Sequence, residues 1–162
     1  MKSAKWNFSA SELINIKHQI VSETLSPCAN ISNDDKITQM EEHAELELLL
    51  SLDGASFEAA EGYVVEFMAR RTNPTSARPH GLSYALVFRP ENGEPLVRFD
   101  NAHAVERPGG RFVKASEAHD HWHRTASDTG RPYAFTTAAQ LLDDFWREVK
   151  RVMNERGIPN DL

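Results

Sequence analysis

Residues 82–101, LSYALVFRPENGEPLVRFDN, indicate a β-hairpin, and this hairpin decides the fold class. Large apolar side chains at positions 84, 86 and 88 alternate with smaller ones, which is the two-residue period of a β-strand. Asn92-Gly93 can supply the positive φ angles of a tight turn. The segment LVRFDN then returns as the second strand of the hairpin.

Three further segments are predicted to be strands. GYVVEFMARR, residues 62–71, is rich in β-branched and aromatic residues, and we expect it to be buried on both sides at its centre. AELELLLSLDG, residues 44–54, has leucines that alternate as in a strand, although its Glu and Leu content suits a helix. We favour the strand. HDHWH, residues 119–123, places a histidine at every second position, so that three imidazoles would line one side of a strand.

Two helices are predicted at the ends of the chain. SASELINIKHQIVSETL, residues 9–25, carries an apolar stripe behind a Ser9/Glu12 capping box. Residues 137–157 carry a longer apolar stripe, with Thr137 and Gln140 as the capping box and Gly157 as the stop. The sequence therefore predicts an α+β fold in which the C-terminal helix packs on one face of an antiparallel sheet of about five strands. It divides into an N-terminal helical extension, residues 1–40, and a domain at residues 41–157.

Composition excludes several classes of function. The 162 residues suffice for one packed domain, and 40% hydrophobic with 26% charged residues is ordinary for a folded protein. A single cysteine, Cys28, excludes an intrachain disulfide and a four-cysteine zinc site. The absence of a secretion signal and of a long apolar run disfavours export and membrane insertion, which predicts a cytoplasmic protein. There is no Gly-rich phosphate loop and no nucleophile elbow. The net charge of −6 gives no general attraction to nucleic acid, yet arginines between residues 70 and 131 can form a basic face.

His121 and His123 are the candidates for chemistry, because imidazole titrates near neutrality and a pair can donate and accept protons in one reaction. Alternate histidines can also bind a transition metal, and a solvated strand is a third interpretation. A carboxylate would orient the imidazoles. Strand alternation turns Asp120 away from them, which makes Asp100 of the neighbouring strand the better candidate. Spacing alone does not separate these alternatives, and the sequence assigns no metal and no cofactor.

Other polar residues have simpler explanations beside the functional one. Asp100 and Asn101 can merely end a strand, and His80 precedes Gly81 as turn residues do. Tyr84 and Tyr133 suit half-buried packing positions with a hydrated hydroxyl. Arginines such as Arg98 and Arg124 are solvated when taken singly. Several on the face of the histidines would form an anion site, because guanidinium groups match phosphate geometry.

The order of these motifs resembles the TumE-like family of prokaryotic toxins. The family pattern is filled by His80-Gly81, Tyr84, Phe99-Asp100-Asn101, Asp120-His121-Trp122-His123, Pro132-Tyr133-Phe135 and Asp144-Phe145. The match covers roughly residues 44–156. Two features depart from the pattern: the inserted segment AHAVERPGGRFVKASEAH between the Asp-Asn and Asp-His motifs, and an N-terminal extension of about 40 residues.

The resemblance implies the toxin of a toxin–antitoxin module, neutralised by a helix-turn-helix antitoxin. From the residues we expect a metal-independent endoribonuclease acting on RNA, in which His121 and His123 transfer protons and Asp100 or Asp120 orients them. Substrate contacts would come from a further set: Arg98, Arg124, Asn101, His80, Tyr84 and Tyr133. The alternative is a non-enzymatic inhibitory or regulatory protein whose His/Arg face is an interaction surface. A metal-dependent enzyme is a third alternative. The oligomeric state does not follow from the sequence.

Overall fold

The computed structural model describes residues 34–101, 120–125 and 127–159. In chain order they form helix α1 (Asp34–Ser51), strands β1 (Ser56–Ala60), β2 (Tyr63–Arg71), β3 (Leu82–Pro90), β4 (Val97–Asp100), β5 (His121–His123) and β6 (Arg131–Pro132), and helix α2 (Ala138–Arg156). The predicted helix at residues 9–25 and three of the seven histidines, His18, His103 and His119, lie outside these residues.

The six strands form one antiparallel sheet in the order β1-β2-β3-β4-β5-β6, so that every strand pairs with its neighbours along the chain. The predicted α+β class is confirmed. Strands β2, β3, β4 and β5 lie within the predicted segments, whereas the sequence does not predict β1 and β6. Among residues 34–101, 120–125 and 127–159, no helix combines the length and hydropathy needed to cross a membrane.

Residues 44–51 belong to helix α1, so the strand predicted there is wrong. Leu46, Leu49 and Leu50 follow the three-to-four-residue spacing of a helix face, and all three contact the core. Leu49 is completely buried. The alternation of leucines in this Glu- and Leu-rich segment is thus a coincidence. The segment is a helix because its leucines pack against the core at helical spacing. Residue 40, the predicted boundary between the N-terminal extension and the domain, lies inside helix α1. The division of the chain at this residue stays a prediction.

The hairpin of β3 and β4 is present, but its loop differs from the expected tight turn. Neither Asn92 nor Gly93 has a positive φ angle. The backbone N–H of Gly93 donates to the carbonyl of Pro90 at 3.2 Å, and that of Leu96 donates to the carbonyl of Phe88 at 2.8 Å. A six-residue connection therefore replaces the two-residue turn.

Both helices pack on the same face of the sheet. Phe145 of α2 meets Phe67 of β2 and Phe99 of β4 edge to face, with ring centroids 5.8 and 6.0 Å apart. On β2, Met68 points away from this core and is 55% exposed, so the expected burial of β2 on both sides is wrong. Helix α2 begins as predicted, because the Thr137 hydroxyl accepts from the backbone N–H of Gln140. Gly157, at φ 65°, ends it.

Candidate functional site

The Asp-Asn end of β4 lies beside the histidine strand. Asp100 pairs with His121, and Arg98 pairs with His123. Phe99 stacks on Trp122 with a centroid distance of 5.7 Å, and Phe99 also contacts Phe145 of α2. Because successive side chains of a strand point to opposite faces, Asp100, His121, His123 and Arg98 share the face turned away from α2. We call these four residues the Asp-His cluster.

The carboxylate of Asp100 lies at the centre of the Asp-His cluster. Its Oδ1 atom is 3.2 Å from Nε2 of His121, and its Oδ2 atom is 3.9 Å from Nε2 of His123. Oδ2 is also 2.5 Å from Nε of Arg98. Asp100 and His121 are completely buried, whereas 14% of the His123 side chain is exposed. A buried carboxylate needs charged or hydrogen-bonding neighbours, and these three side chains surround it.

The turn after β5 fixes the ring of His123. Its Nδ1 atom lies 2.7 Å from the backbone carbonyl oxygen of Asp128, so Nδ1 carries a proton and donates it there. In the neutral ring the basic nitrogen is then Nε2, which is the atom turned toward Asp100. The carboxylate of Asp128 holds the turn by accepting from the backbone N–H groups of Arg124 and Gly130. Burial opposes ionisation of Asp128, but these hydrogen bonds and the charge of Arg131 lower its pKa.

Gly130 leaves room for both imidazoles. It has a φ of 91°, and a β-carbon built there would lie 2.9 Å from Cε1 of His123 and 3.1 Å from Cδ2 of His121. Real β-carbons essentially never lie 2.9 Å from another atom, a contact of 3.1 Å is unusually tight, and L-residues rarely adopt this φ angle. Glycine is therefore required at this position by the rings as well as by the backbone.

The same residues could hold a metal ion. Asp100, His121 and His123 each offer one ligand atom, and these atoms lie within 4.8 Å of one another. Two imidazoles and one carboxylate suit a transition metal such as zinc or iron. The hydrogen bond from Nδ1 of His123 to a carbonyl is also common among metal-ligating histidines. Acid–base chemistry and metal binding thus remain alternatives for this cluster.

Asp120 belongs to a second polar group on the opposite face of the sheet. Both of its carboxylate oxygens lie 3.1 Å from Nε2 of His80, and Oδ1 accepts from the side-chain amide of Asn101 at 3.3 Å. The amide oxygen of Asn101 accepts from the backbone N–H of Tyr84, and its NH₂ group also donates to the carbonyl of Leu82. We call Asp120, His80, Asn101 and Tyr84 the buried network.

The buried network is held in one protonation pattern. The backbone N–H of Leu82 donates to Nδ1 of His80, so the proton of the neutral ring is on Nε2 and faces Asp120. Burial opposes ionisation of Asp120, but the hydrogen bonds from His80 and Asn101 and the nearby hydroxyl of Tyr84 outweigh it and lower the pKa of Asp120. Burial and the Asp120 charge raise the pKa of Tyr84 far above its ordinary value. The hydroxyl of Tyr84 therefore stays protonated.

The buried network positions the Asp-His cluster through the chain. Asn101 follows Asp100, and Asp120 precedes His121, so the hydrogen bond between Asn101 and Asp120 joins the two segments beside the cluster. Arg78 adds to this anchor by donating from Nε and Nη2 to the backbone carbonyl of Asn101. In each of the pairs Asp100-Asn101 and Asp120-His121, one residue thus belongs to the Asp-His cluster and its neighbour belongs to the buried network on the opposite face of the sheet.

The residues expected to bind substrate do not form one site. Arg98 lies in the Asp-His cluster, whereas His80, Asn101 and Tyr84 lie in the buried network on the opposite face. The hydroxyl of Tyr133 donates to Asp144 of α2 at 2.9 Å. Arg124 lies at the far edge of the sheet, in a cleft against α2. Of the two candidate orienting carboxylates, the structure brings Asp100 to the histidines and Asp120 to His80.

Sequence reasoning does not identify Asp128 and Gly130, because SDTGRP at residues 127–132 indicates only a turn. The signal available was weak: Asp and Gly are ordinary turn residues, and their contacts with His123 depend on how the turn folds back over β5. It also missed Arg78, whose partner is a backbone carbonyl 23 residues away.

Comparison with known proteins places these motifs in a family. The family model described as toxin TumE matches residues 21–153, which is most of the chain and includes both the Asp-His cluster and the buried network. Comparisons with curated proteins and with solved structures found no match. The chain belongs to the toxin TumE family.

Proposed function

We propose that this toxin-family protein is a metal-independent endoribonuclease whose working groups are His121, His123 and Asp100. The observation that supports the proposal is the convergence of two imidazoles on one buried carboxylate, beside the guanidinium of Arg98. Such a set contains what cleavage of RNA by its own 2′-hydroxyl requires: a base, an acid and a cation for the phosphate.

The reaction balances without a co-reactant. The ribose 2′-oxygen attacks phosphorus and forms a P–O bond while the bond to the 5′-oxygen of the next nucleotide breaks. One imidazole takes the proton of the 2′-hydroxyl, and the other, as imidazolium, gives a proton to the leaving 5′-oxygen. The products are a 2′,3′-cyclic phosphate and a 5′-hydroxyl.

His123 is the better candidate for the base. Its Nδ1–H is tied to the carbonyl of Asp128, so a neutral ring has its basic nitrogen at Nε2, and part of the side chain is accessible. Asp100 would stabilise the imidazolium that forms. Arg98, at the same Asp100 oxygen and 34% exposed, would hold the phosphate. His121 would act as the acid, which requires RNA binding to expose its buried ring.

Cleavage of RNA in the presence of a chelator tests the proposal. The wild-type protein should cleave, and His123→Ala should reduce the rate by roughly 10²–10⁴-fold, the usual contribution of one acid–base group. His43→Ala is the matched control, because His43 is an exposed histidine on helix α1. Equal cleavage by the wild-type and His123→Ala proteins would overturn the assignment. Cleavage that needs a divalent metal would favour the metal-dependent alternative.

A second candidate function is inhibition by binding, without turnover. The complete burial of Asp100 and His121 favours it, because groups that contact a substrate need access to it. In that case the wild-type protein would copurify with a stoichiometric cellular partner and would not cleave RNA. The His123→Ala variant would then weaken association instead of catalysis.

Membership of a toxin family also suggests a neutralising antitoxin. We propose that this partner is a helix-turn-helix protein and that the toxin acts in the cytoplasm, where its RNA target would be. Co-expression tests the pairing: growth inhibition by the toxin alone should be relieved by the product of a neighbouring helix-turn-helix gene. A neighbour without effect on growth or without binding would contradict it.

A further inference from the structure

A cleft lies at the β5–β6 edge of the sheet, between the turn after β5 and the C-terminal half of α2. It encloses about 430 Å³ and is lined by four arginines, two acids and three further residues: Arg124, Arg131, Arg151, Arg156, Asp128, Glu155, Thr125, Ser127 and Val152. Four positive and two negative side chains leave a local excess of two positive charges (4 − 2). That excess contrasts with the net charge of −6 of the whole chain.

Two of these arginines are well placed to bind an anion. Arg124 and Arg131 have 42% and 47% of their side chains exposed. Arg124 lies 3.8 Å from Glu155, which is a long and weak contact. Arg131 contacts Asp128 at 3.2 Å through one nitrogen, and a guanidinium has five donors, so this contact leaves others for a ligand. By contrast, Arg151 is engaged by both Glu148 and Glu155.

Arg131 is also oriented before any ligand arrives. Its guanidinium lies over the ring of Trp122, 5.0 Å from the centroid. Trp122 is in turn stacked on Phe99 of the core, so the platform beneath the guanidinium is fixed. A guanidinium held in place loses less freedom on binding than one on a mobile side chain.

The cleft is joined to the Asp-His cluster by the turn after β5. Asp128 lines the cleft, accepts from Nδ1 of His123 through its carbonyl, and accepts from Gly130 through its carboxylate. Arg124, which lines the cleft, directly follows His123 in the chain. The cleft lies on the α2 side of the sheet and the Asp-His cluster on the other side, so a strand of RNA that crosses this edge would connect the arginines with the histidines.

We propose that Arg124 and Arg131 hold a phosphate of a single-stranded RNA backbone, on the same strand as the phosphate cleaved at the Asp-His cluster. This inference rests on the proposed function for its ligand. It extends that function by naming a second phosphate subsite, which contributes affinity through charge and does not discriminate between bases.

Binding is measured separately from cleavage in a His123→Ala background, with a fluorescent single-stranded RNA in chelator. Each lost phosphate contact should lower the dependence of log affinity on log salt by about 0.7 and weaken binding roughly fourfold at 0.15 M salt. Arg124→Gln with Arg131→Gln removes the one phosphate contact and should therefore weaken binding about fourfold and lower the salt dependence by about 0.7. The matched control is Arg70→Gln with Arg147→Gln, because both are exposed arginines outside the cleft.

Equal affinity and equal salt dependence of the two double variants would overturn the phosphate subsite. Unchanged RNA binding together with lost antitoxin binding would overturn it as well and would assign the cleft to an acidic protein segment. If cleft-dependent RNA binding appears while the wild-type protein fails to cleave RNA in chelator, the subsite stands and the ribonuclease proposal fails. The two proposals are thus separated.

Discussion

Replacing Gly130 by alanine should damage the Asp-His cluster directly. The added β-carbon would lie 2.9 Å from Cε1 and 3.2 Å from Nε2 of His123, and 3.1 Å from Cδ2 of His121. Both rings or the turn itself must move to accept it. Gly62→Ala is the matched control, because Gly62 also has a positive φ angle, 75°, but an added β-carbon would have no neighbour within 4 Å.

The size of the effect follows from this comparison. Forcing an L-residue into the left-handed region costs about 1–2 kcal/mol, and this cost applies to both the Gly130→Ala and the Gly62→Ala variants. Crowding of the imidazoles should add about 1–3 kcal/mol to the Gly130→Ala variant alone, the usual cost of overpacking. For a chain of this length the excess corresponds to roughly 2–12 °C in Tm.

Urea unfolding and RNA cleavage in chelator measure the two consequences. We expect Gly130→Ala to be less stable than Gly62→Ala and to lose cleavage under conditions where it is still folded, because Nε2 of His123 is displaced from Asp100. Gly62→Ala should cleave at the wild-type rate. Equal stability of the two variants, with both active, would refute the close contact between Gly130 and the rings.

Three further predictions concern the buried network and the core. Asp120→Ala should reduce the free energy of unfolding by about 2–6 kcal/mol, because the donors of His80 and Asn101 each lose a buried acceptor, while exposed Glu61→Gln should change it by less than about 0.5 kcal/mol. The pKa of Asp120 is lowered by folding, so its stabilising contribution is present above the unfolded pKa and is lost as pH falls through the folded value. In urea titrations, the difference in free energy of unfolding between wild type and Asp120→Ala should be constant near pH 6 and should shrink below about pH 4. A difference that grows in acid would contradict the assignment. Phe145→Ala should cost about 3–5 kcal/mol by calorimetry, because this ring is completely buried between two strands, and a cost below 1 kcal/mol would contradict its central place in the core.

Strand alternation was the feature of the sequence that predicted most of the candidate site. It placed Asp100 with the histidines and turned Asp120 to the other face, because both consequences need only the two-residue period and the pairing of neighbouring strands. Helix α2 could also be predicted from the sequence, since its apolar stripe and its caps are local signals. The periodicity of residues 44–54 was ambiguous, and contacts of Leu49 with the distant core decided the helix.

The remaining features depend on contacts between distant parts of the chain. His80 and Asp120 are 40 residues apart, and nothing local to either predicts their pairing. The arginine cleft combines the turn after β5 with the last turns of α2, so its residues share no sequence pattern. Strand β6 has two residues, Arg131 and Pro132, which is too short for a periodic signal.

The ends of the RNA products test the central claim most directly. In chelator, the wild-type protein should leave 2′,3′-cyclic phosphate and 5′-hydroxyl ends, because the 2′-oxygen is the nucleophile and His123 and His121 move the protons. His123→Ala should leave RNA intact, and His43→Ala should cleave as the wild type does. Cleavage that appears only with added metal and leaves 5′-phosphate ends, or no cleavage by the wild-type protein under any condition, would contradict the account.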